Sequence, residues 1–179
     1  GMKEKDLAAL RLRRLGFVFQ NPHLLRTLCL LDNIALPGFL AGDKPREEIV
    51  ARARGLMASM GISELESSDV AEVSGGQLQR ASICRALIND PEIVIGDEPT
   101  GALNSASAAQ VLDIMGEIRA RGTTVVLVTH DPMVAVRADR VLVLVDGKIT
   151  DDVALGRYSP DAAAERTARV TSLLASRGV

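Results

Sequence analysis

Apolar positions follow two rhythms along this chain, one of strands and one of helices. Leu15-Gly16-Phe17-Val18-Phe19 is a continuous apolar run that reads as a buried strand ending at Gln20, and Asn21-Pro22 stops it. Ahead of it, Asp6 to Arg14 reads as a short basic helix. Residues 24–90 read mostly as helix. Ile49, Ala53, Leu56, Met57 and Met60 recur there at helical spacing, Gly61 supplies a stop, and a further helix runs from Ser74 to Asn89. The character then changes. Glu92 to Gly96 is a short apolar strand, and Asn104 to Arg121 is a helix with Val111, Ile114, Met115 and Ile118 on one face, ended by Gly122. Thr123 to Thr129 is a strand rich in β-branched residues. Arg140 to Val145 is another, turned by Asp146-Gly147 into a short strand near Lys148 to Val153. Residues 159–177 form a last amphipathic helix.

Strands that alternate with helices predict an α/β fold with a largely parallel sheet covered on both faces. The block at 24–90 then reads as a helical insertion between two strands of that sheet. There are no internal repeats and no low-complexity segment.

Composition narrows the class. With 179 residues, 47% of them hydrophobic and 25% charged, the chain is globular and long enough for one domain with a substantial core. Three Phe, one Tyr and no Trp leave that core to aliphatic side chains. The same scarcity, a net charge of -2 and the lack of a dense Lys/Arg run argue against a nucleic-acid partner. No apolar run approaches the roughly 18–20 residues that span a bilayer. The charged stretch at residues 1–20 does not read as a signal peptide, and Cys29 and Cys84 lack metal or redox spacing, so a reducing, cytosolic setting is expected. Gly1 ahead of Met2 reads as a scar of tag removal, which would start the reading frame at Met2.

Two constellations carry candidate chemistry. The strand Ile93-Val94-Ile95-Gly96 delivers Asp97-Glu98 to the carboxyl edge of a parallel sheet, where ligands usually sit. Adjacent acids there suit Mg²⁺-assisted phosphoryl transfer: one carboxylate holds the hydrated metal, and the next orients and deprotonates the attacking water. Two solvated acids at a strand end are the competing reading. The second constellation is Ser74-Gly75-Gly76-Gln77, which opens a helix with the spacing of a capping box. Its two glycines permit close approach of a ligand to a helix start that favours anions. An ordinary capped helix explains the tetrapeptide alone. It does not explain the longer run that adds Leu78-Gln79-Arg80, Arg85-Ala86-Leu87, Asp90-Pro91 and Asp97-Glu98-Pro99-Thr100 in order.

That run resembles the signature helix and Walker B strand of the ABC-type ATPases, in the branch of macrolide exporters, lipoprotein-release ATPases and bacitracin-type exporters. The resemblance covers Asp6 to Val153. It implies an incomplete P-loop NTPase (RecA-like) sheet with an inserted α-helical subdomain. A single partial domain then divides into a Q-loop strand (1–23), a signature subdomain (24–90) and the Walker B to C-terminal part (91–179). It implies ATP and Mg²⁺ as cofactors. Glu98 and His130 take the catalytic places, with His130 in that of the switch histidine on the γ-phosphate. Asp97 and Gln20 take the metal places, and Ser74, Gly75, Gly76, Gln77, Gln20 and Asn104 the nucleotide places, Asn104 within a D-loop-like Gly101-Ala102-Leu103-Asn104. A transmembrane permease and a second ATPase subunit are the implied partners, on the cytoplasmic face of the plasma membrane. His23 has no such support and reads as a surface or packing residue.

The departures from the family pattern are Asn104 where many relatives carry Asp, Val73 where they carry Leu, and one absence. No G-x-x-x-x-G-K-[ST] run occurs in the sequence, and the adenine-stacking aromatic has no counterpart. These residues alone are therefore expected to bind ATP weakly and to turn none over. In the family's sheet the P-loop strand lies between the strand ending near His130 and the strand from Arg140 to Val145. The gap is expected to close, either by those two edges meeting or by a second copy supplying strands through swapping or edge pairing. A non-enzymatic remnant or regulatory half that pairs with a full-length subunit is the alternative. A soluble ABC-type ATPase of DNA repair or translation is weaker, since the chain has neither long coiled coil nor tandem domains.

Overall fold

The computed structural model describes residues 3–177, with Gly1 and Met2 outside them. Helix α1 (Glu4–Arg14) leads directly into strand β1 (Leu15–Phe19). Helices α2 (Leu30–Ala41) and α3 (Arg46–Ser59), two short 3₁₀ turns and helix α4 (Gly75–Leu87) follow. Then come β2 (Ile93–Asp97), α5 (Ser105–Ala120) and β3 (Thr124–Val128). The remainder is α6 (Pro132–Ala135), β4 (Arg140–Val145), β5 (Lys148–Ala154) and α7 (Ala163–Arg177). The chain packs as two compact units, Gly1–Val128 and Thr129–Val179.

In the first unit β1, β2 and β3 form a parallel sheet in that order, with Phe19, Asp97 and Val128 abreast at the carboxyl edge. Among the described residues of this unit the expected coverage of both faces is not found. Each step from strand to strand moves in one direction, and right-handed crossovers then put every connecting helix on one side. Helix α4 lies against β1 and α5 against β3. That face carries Gly16, Val18, Val94 and Gly96, all buried, while on the other Phe17 and Ile95 are half-buried and Val126 stays 46% exposed.

Two apolar cores flank α4. Leu30, Ile34, Ile49, Ala53, Met57 and Ile62 meet Ala81 and Cys84 of α4 and Ile88 just after it in the helical core. Ile83 of α4 joins Val18, Val94, Val111, Met115 and Ile118 beneath the sheet. The approach of α4 to β1 requires a glycine: a Cβ on Gly16 would stand 2.6 Å from the Ala86 carbonyl oxygen.

The second unit is built on an antiparallel hairpin of β4 and β5. Asp146 and Gly147 at its tip have φ of +50° and +74°, the left-handed pair that a two-residue hairpin turn demands. The expectation that the β3 and β4 edges close on each other is corrected: among the described residues these strands belong to separate sheets. A crossover between neighbouring parallel strands takes roughly a dozen residues or more. The link at residues 129–139 holds only the short α6, whereas β5 is reached by the tight turn. Leu142 and Leu144 of β4 remain 46% and 62% exposed. Arg166 of α7 is buried and donates to the carbonyls of Val136, Ala138, Leu155 and Gly156, tying α7 to both ends of the hairpin's flanks.

Gly16→Ala is expected to destabilise the chain by about 1–3 kcal/mol, since the obstacle is backbone and α4 must shift; urea unfolding measures it. Burial pushes the Cys84 thiol up to about 12. The folded state therefore holds that proton more tightly than the unfolded chain, and the contribution is full below the ordinary thiol range and lost as pH climbs from about 9 towards 12. Above pH 9 stability should fall more steeply in the wild type than in Cys84→Ala, by up to about 1.4 kcal/mol per pH unit. Equal slopes would contradict the assignment.

Candidate functional site

The carboxyl edge of the three-stranded sheet collects the first group of candidate residues. Phe19, Asp97 and Val128 are in register, so Gln20 and Glu98 each follow their strand at the same edge. Asp97 and Gln20 are exposed and Glu98 is half-buried. Glu98 has φ of +45°, a left-handed conformation that a side-chain-bearing residue adopts only when its surroundings enforce it. Its N–H donates to the Val128 carbonyl at 2.9 Å, its carbonyl accepts the Gly101 N–H at 3.1 Å, and Pro99 and Thr100 between them are buried. Gln20 reaches over this corner: a Cβ on Gly101 would stand 2.8 Å from the Gln20 side-chain nitrogen.

Asp97 and Gln20 offer hard donors, and no group of three or more His, Cys, Asp or Glu residues able to hold a metal occurs among the described residues. The pair therefore fits Mg²⁺, which keeps most of its water and takes one or two carboxylates besides substrate phosphates. It does not fit an all-protein cage.

The second group lies at the start of α4. Ser74 and Gln77 form a reciprocal capping box: Gln77 N–H donates to Ser74 Oγ at 3.4 Å, and Ser74 N–H to Gln77 Oε1 at 3.1 Å. The two glycines have different neighbours. A Cβ on Gly75 would meet only Leu103, at 3.9 Å, so that side is open. A Cβ on Gly76 would meet Ser107 Oγ at 2.9 Å and Ser107 Cβ at 3.2 Å, so this glycine is needed for packing on α5. Asn104 caps α5, its Oδ1 accepting the Ser107 N–H at 2.9 Å. Asn performs that task as well as Asp does.

His130 lies in the second unit, in the turn between β3 and α6. The Asp131 N–H donates to Thr129 Oγ1 at 3.0 Å, and Asp131 Oδ1 caps α6 by accepting the Met133 N–H at 2.8 Å. His23 packs edge-on against Phe19, at 5.7 Å between ring centroids. A groove of about 410 Å³ between α1, β1, α2 and α4 includes Leu12, Phe17, Arg85 and Asn89 but none of the candidate residues above.

Sequence reasoning passed over Gln79 and Arg85 as chemistry. Gln79 is buried on the sheet-facing side of α4 with Ile83 and Ala86, and its amide donates to the Phe19 carbonyl at 3.0 Å. An amide at a core-facing position must find a partner, which is the signal that was present in the sequence.

A family model described as ABC transporter matches residues 2–101. The macrolide export ATP-binding/permease protein MacB of Rhodopseudomonas palustris (strain BisB18) is 45% identical over 172 residues, 96% of this chain and 26% of that protein. The protein of that name from Neisseria meningitidis (strain Z2491) is 43% identical over 169 residues, 94% of this chain and 26% of its own length. The chain thus spans about a quarter of the length of these curated relatives. Among solved structures, the bacterial ABC transporter cassette MJ0796 in a dimeric structure is similar with a TM-score of 0.77 and 33% identity, over 88% of this chain and 69% of that one. The same cassette in a post-hydrolysis state bound to ADP and Pi gives 0.74 and 30%, with the same coverage.

The different surroundings of the two glycines give a direct test. Gly75→Ala should leave thermal stability unchanged or slightly raised, because helix interiors favour Ala over Gly by roughly 0.5–1 kcal/mol. Gly76→Ala should lower it, and Ser107→Ala should restore part of the loss. Equal effects at the two positions would contradict the packing role of Gly76.

Proposed function

This chain belongs to the ABC transporter family of ATPases, and on that premise we propose that it is the signature-bearing part of an exporter's ATP-binding subunit. The observation that carries the reading is the convergence of Gln20, Asp97 and Glu98 on one sheet edge, together with an α4 start that has a capping box and is open at Gly75. Glu98, at the corner after β2, accepts the proton of the attacking water. Asp97 and Gln20 hold Mg²⁺, which when bound neutralises phosphate charge. His130 contacts the γ-phosphate, and Asn104 lines the nucleotide through its loop. Ser74 to Gln77 turns its helix start towards the phosphates of a nucleotide held by a second ATPase subunit.

Phosphoryl transfer is almost wholly positioning and charge stabilisation. The 179 residues contain no loop of the G-x-x-x-x-G-K-[ST] kind to cradle phosphates. By themselves they bind ATP weakly and turn none over, yet they still lend the signature segment to a partner that has such a loop. A membrane permease completes the assembly, which places the chain on the cytoplasmic face. No helix among the described residues is long and apolar enough to cross a membrane itself. Among the described residues β3 is the last strand of its sheet, a position open to edge pairing with a second copy in the absence of other strands.

The test is phosphate release by the 179-residue chain, alone and mixed with a complete ABC cassette. Alone it should give no turnover, and ATP should promote its association with the cassette. Robust turnover by the chain alone that disappears in Glu98→Gln would overturn the inactivity. Absence of nucleotide-dependent association would remove the role in trans.

A further inference from the structure

The segment between β1 and α2 carries Gln20, and residues 20–29 contain no helix or strand apart from an isolated bridge at Cys29. Yet its first residues are held at three points by one helix. Gln79 donates its side-chain amide to the Phe19 carbonyl at 3.0 Å. Arg85 spreads its guanidinium over two consecutive carbonyls, Nη2 donating to that of Pro22 at 2.6 Å and Nη1 to that of His23 at 2.9 Å. Asn33 of α2 holds the following stretch separately, through Leu25, Leu28 and Cys29. The residues on either side of Gln20 are therefore fastened to α4 by side-chain hydrogen bonds.

These bonds are directional. The amide of Gln79 is fully buried, so its loss leaves a carbonyl without a partner. Arg85 is half-buried, and burial lowers its pKa, but a guanidinium stays charged at any accessible pH and keeps its planar fork. Gly16 against Ala86 and Ile83 in the sheet core fix the same helix along β1. Six residues of α-helix separate the two anchoring side chains, a rise of about 9 Å.

We propose that Gln79 and Arg85 are positioning residues that clamp the Gln20 segment to α4, so that Gln20 and the Ser74–Gln77 helix start are displaced as one body. A ligand or partner that moves Gln20 then moves the signature start, and the reverse. The functional consequence rests on the nucleotide reading above, whereas the clamp itself does not.

The direct readout is the rotational mobility of a nitroxide attached through Asn21→Cys, in a background with Cys29→Ser, on the 179-residue chain without nucleotide. Gln79→Leu and Arg85→Met should each shorten the label's correlation time at least threefold. Arg54→Met, which removes an ion pair to Glu66 on α3's exposed side, should leave it unchanged. Spectra identical to wild type in folded Gln79→Leu and Arg85→Met overturn the clamp. If neither variant folds, the wild-type spectrum decides: a label as mobile as in urea overturns it, and an immobilised one supports it.

A second arm adds a complete cassette, ATP and Mg²⁺. Amide exchange at Gly75–Gln77 should slow, the Asn21 label should respond in the wild type, and Arg85→Met should lose the label's response while keeping the slowed exchange. A response retained in both variants overturns joint displacement. No slowing at Gly75–Gln77 in the wild type counts against the nucleotide reading alone, since the clamp is measured without nucleotide.

Discussion

The closeness of α4 to β1 is the constraint on which the first unit depends. Because Gly16 has no Cβ, the Ala86 carbonyl can lie where a side chain would otherwise stand. The helix then runs along the strand with Ala86 at its beginning and Gln79 at its end. In that position α4 is a wall shared by two cores, giving Ala81 and Cys84 to one and Ile83 to the other. Interiors packed at crystal density do not let such a helix tilt without opening a cavity on one side and a clash on the other. Its N-terminus is therefore held in place relative to β1, and Ser74 to Gln77 shift only together with the strand end that α4 grips.

Strand direction does the rest. Parallel pairing in the order β1, β2, β3 brings the ends of three strands to one edge. The in-register triple of Phe19, Asp97 and Val128 decides that Gln20 and Glu98 emerge side by side. The left-handed backbone at Glu98 costs of order 1–3 kcal/mol. The buried Pro99 and Thr100, with hydrogen bonds to Val128 and Gly101 on either side, hold it. Glu98 is thus held in a left-handed conformation from both flanks. The same one-way strand order explains why Val126 remains open to solvent: α4 and α5 pack on the opposite face.

Much of this was legible in the residues. The run from Leu15 to Phe19, the β-branched stretch from Thr124 to Val128 and the stop at Gly61, whose φ is +63°, report on local conformation, and the structure follows them closely. The capping box was legible because its logic spans only Ser74 to Gln77. What hydropathy could not reveal were contacts set by tertiary distance. Gly75 and Gly76 look equivalent until Ser107 is found beside one of them. Coverage of the sheet follows from crossover geometry and not from apolar count, so Phe17, in a run that reads as a buried strand, is only half-buried, and Val126 is 46% exposed. The separate sheets of β3 and β4 likewise depend on the length of residues 129–139, a property that strand propensity does not contain.

The polar framework also answers a difficulty posed by composition. Three Phe and one Tyr give this chain few large rings with which to lock loops by packing. Guanidinium groups do that work through main-chain carbonyls. Arg52 donates to the Leu87 and Ile88 carbonyls and so caps the end of α4 from α3. Arg85 gathers Pro22 and His23, and Arg166 gathers four carbonyls around α6 and the end of β5. A planar fork with five donors suits carbonyls that a helix end or an irregular loop leaves without partners. Each of these arginines carries its charge to a place where the chain bends, satisfying groups that aliphatic packing cannot. Fine positioning of the site residues therefore rests on a few arginine and glutamine side chains, and the aliphatic cores supply the rigid body that those side chains grip.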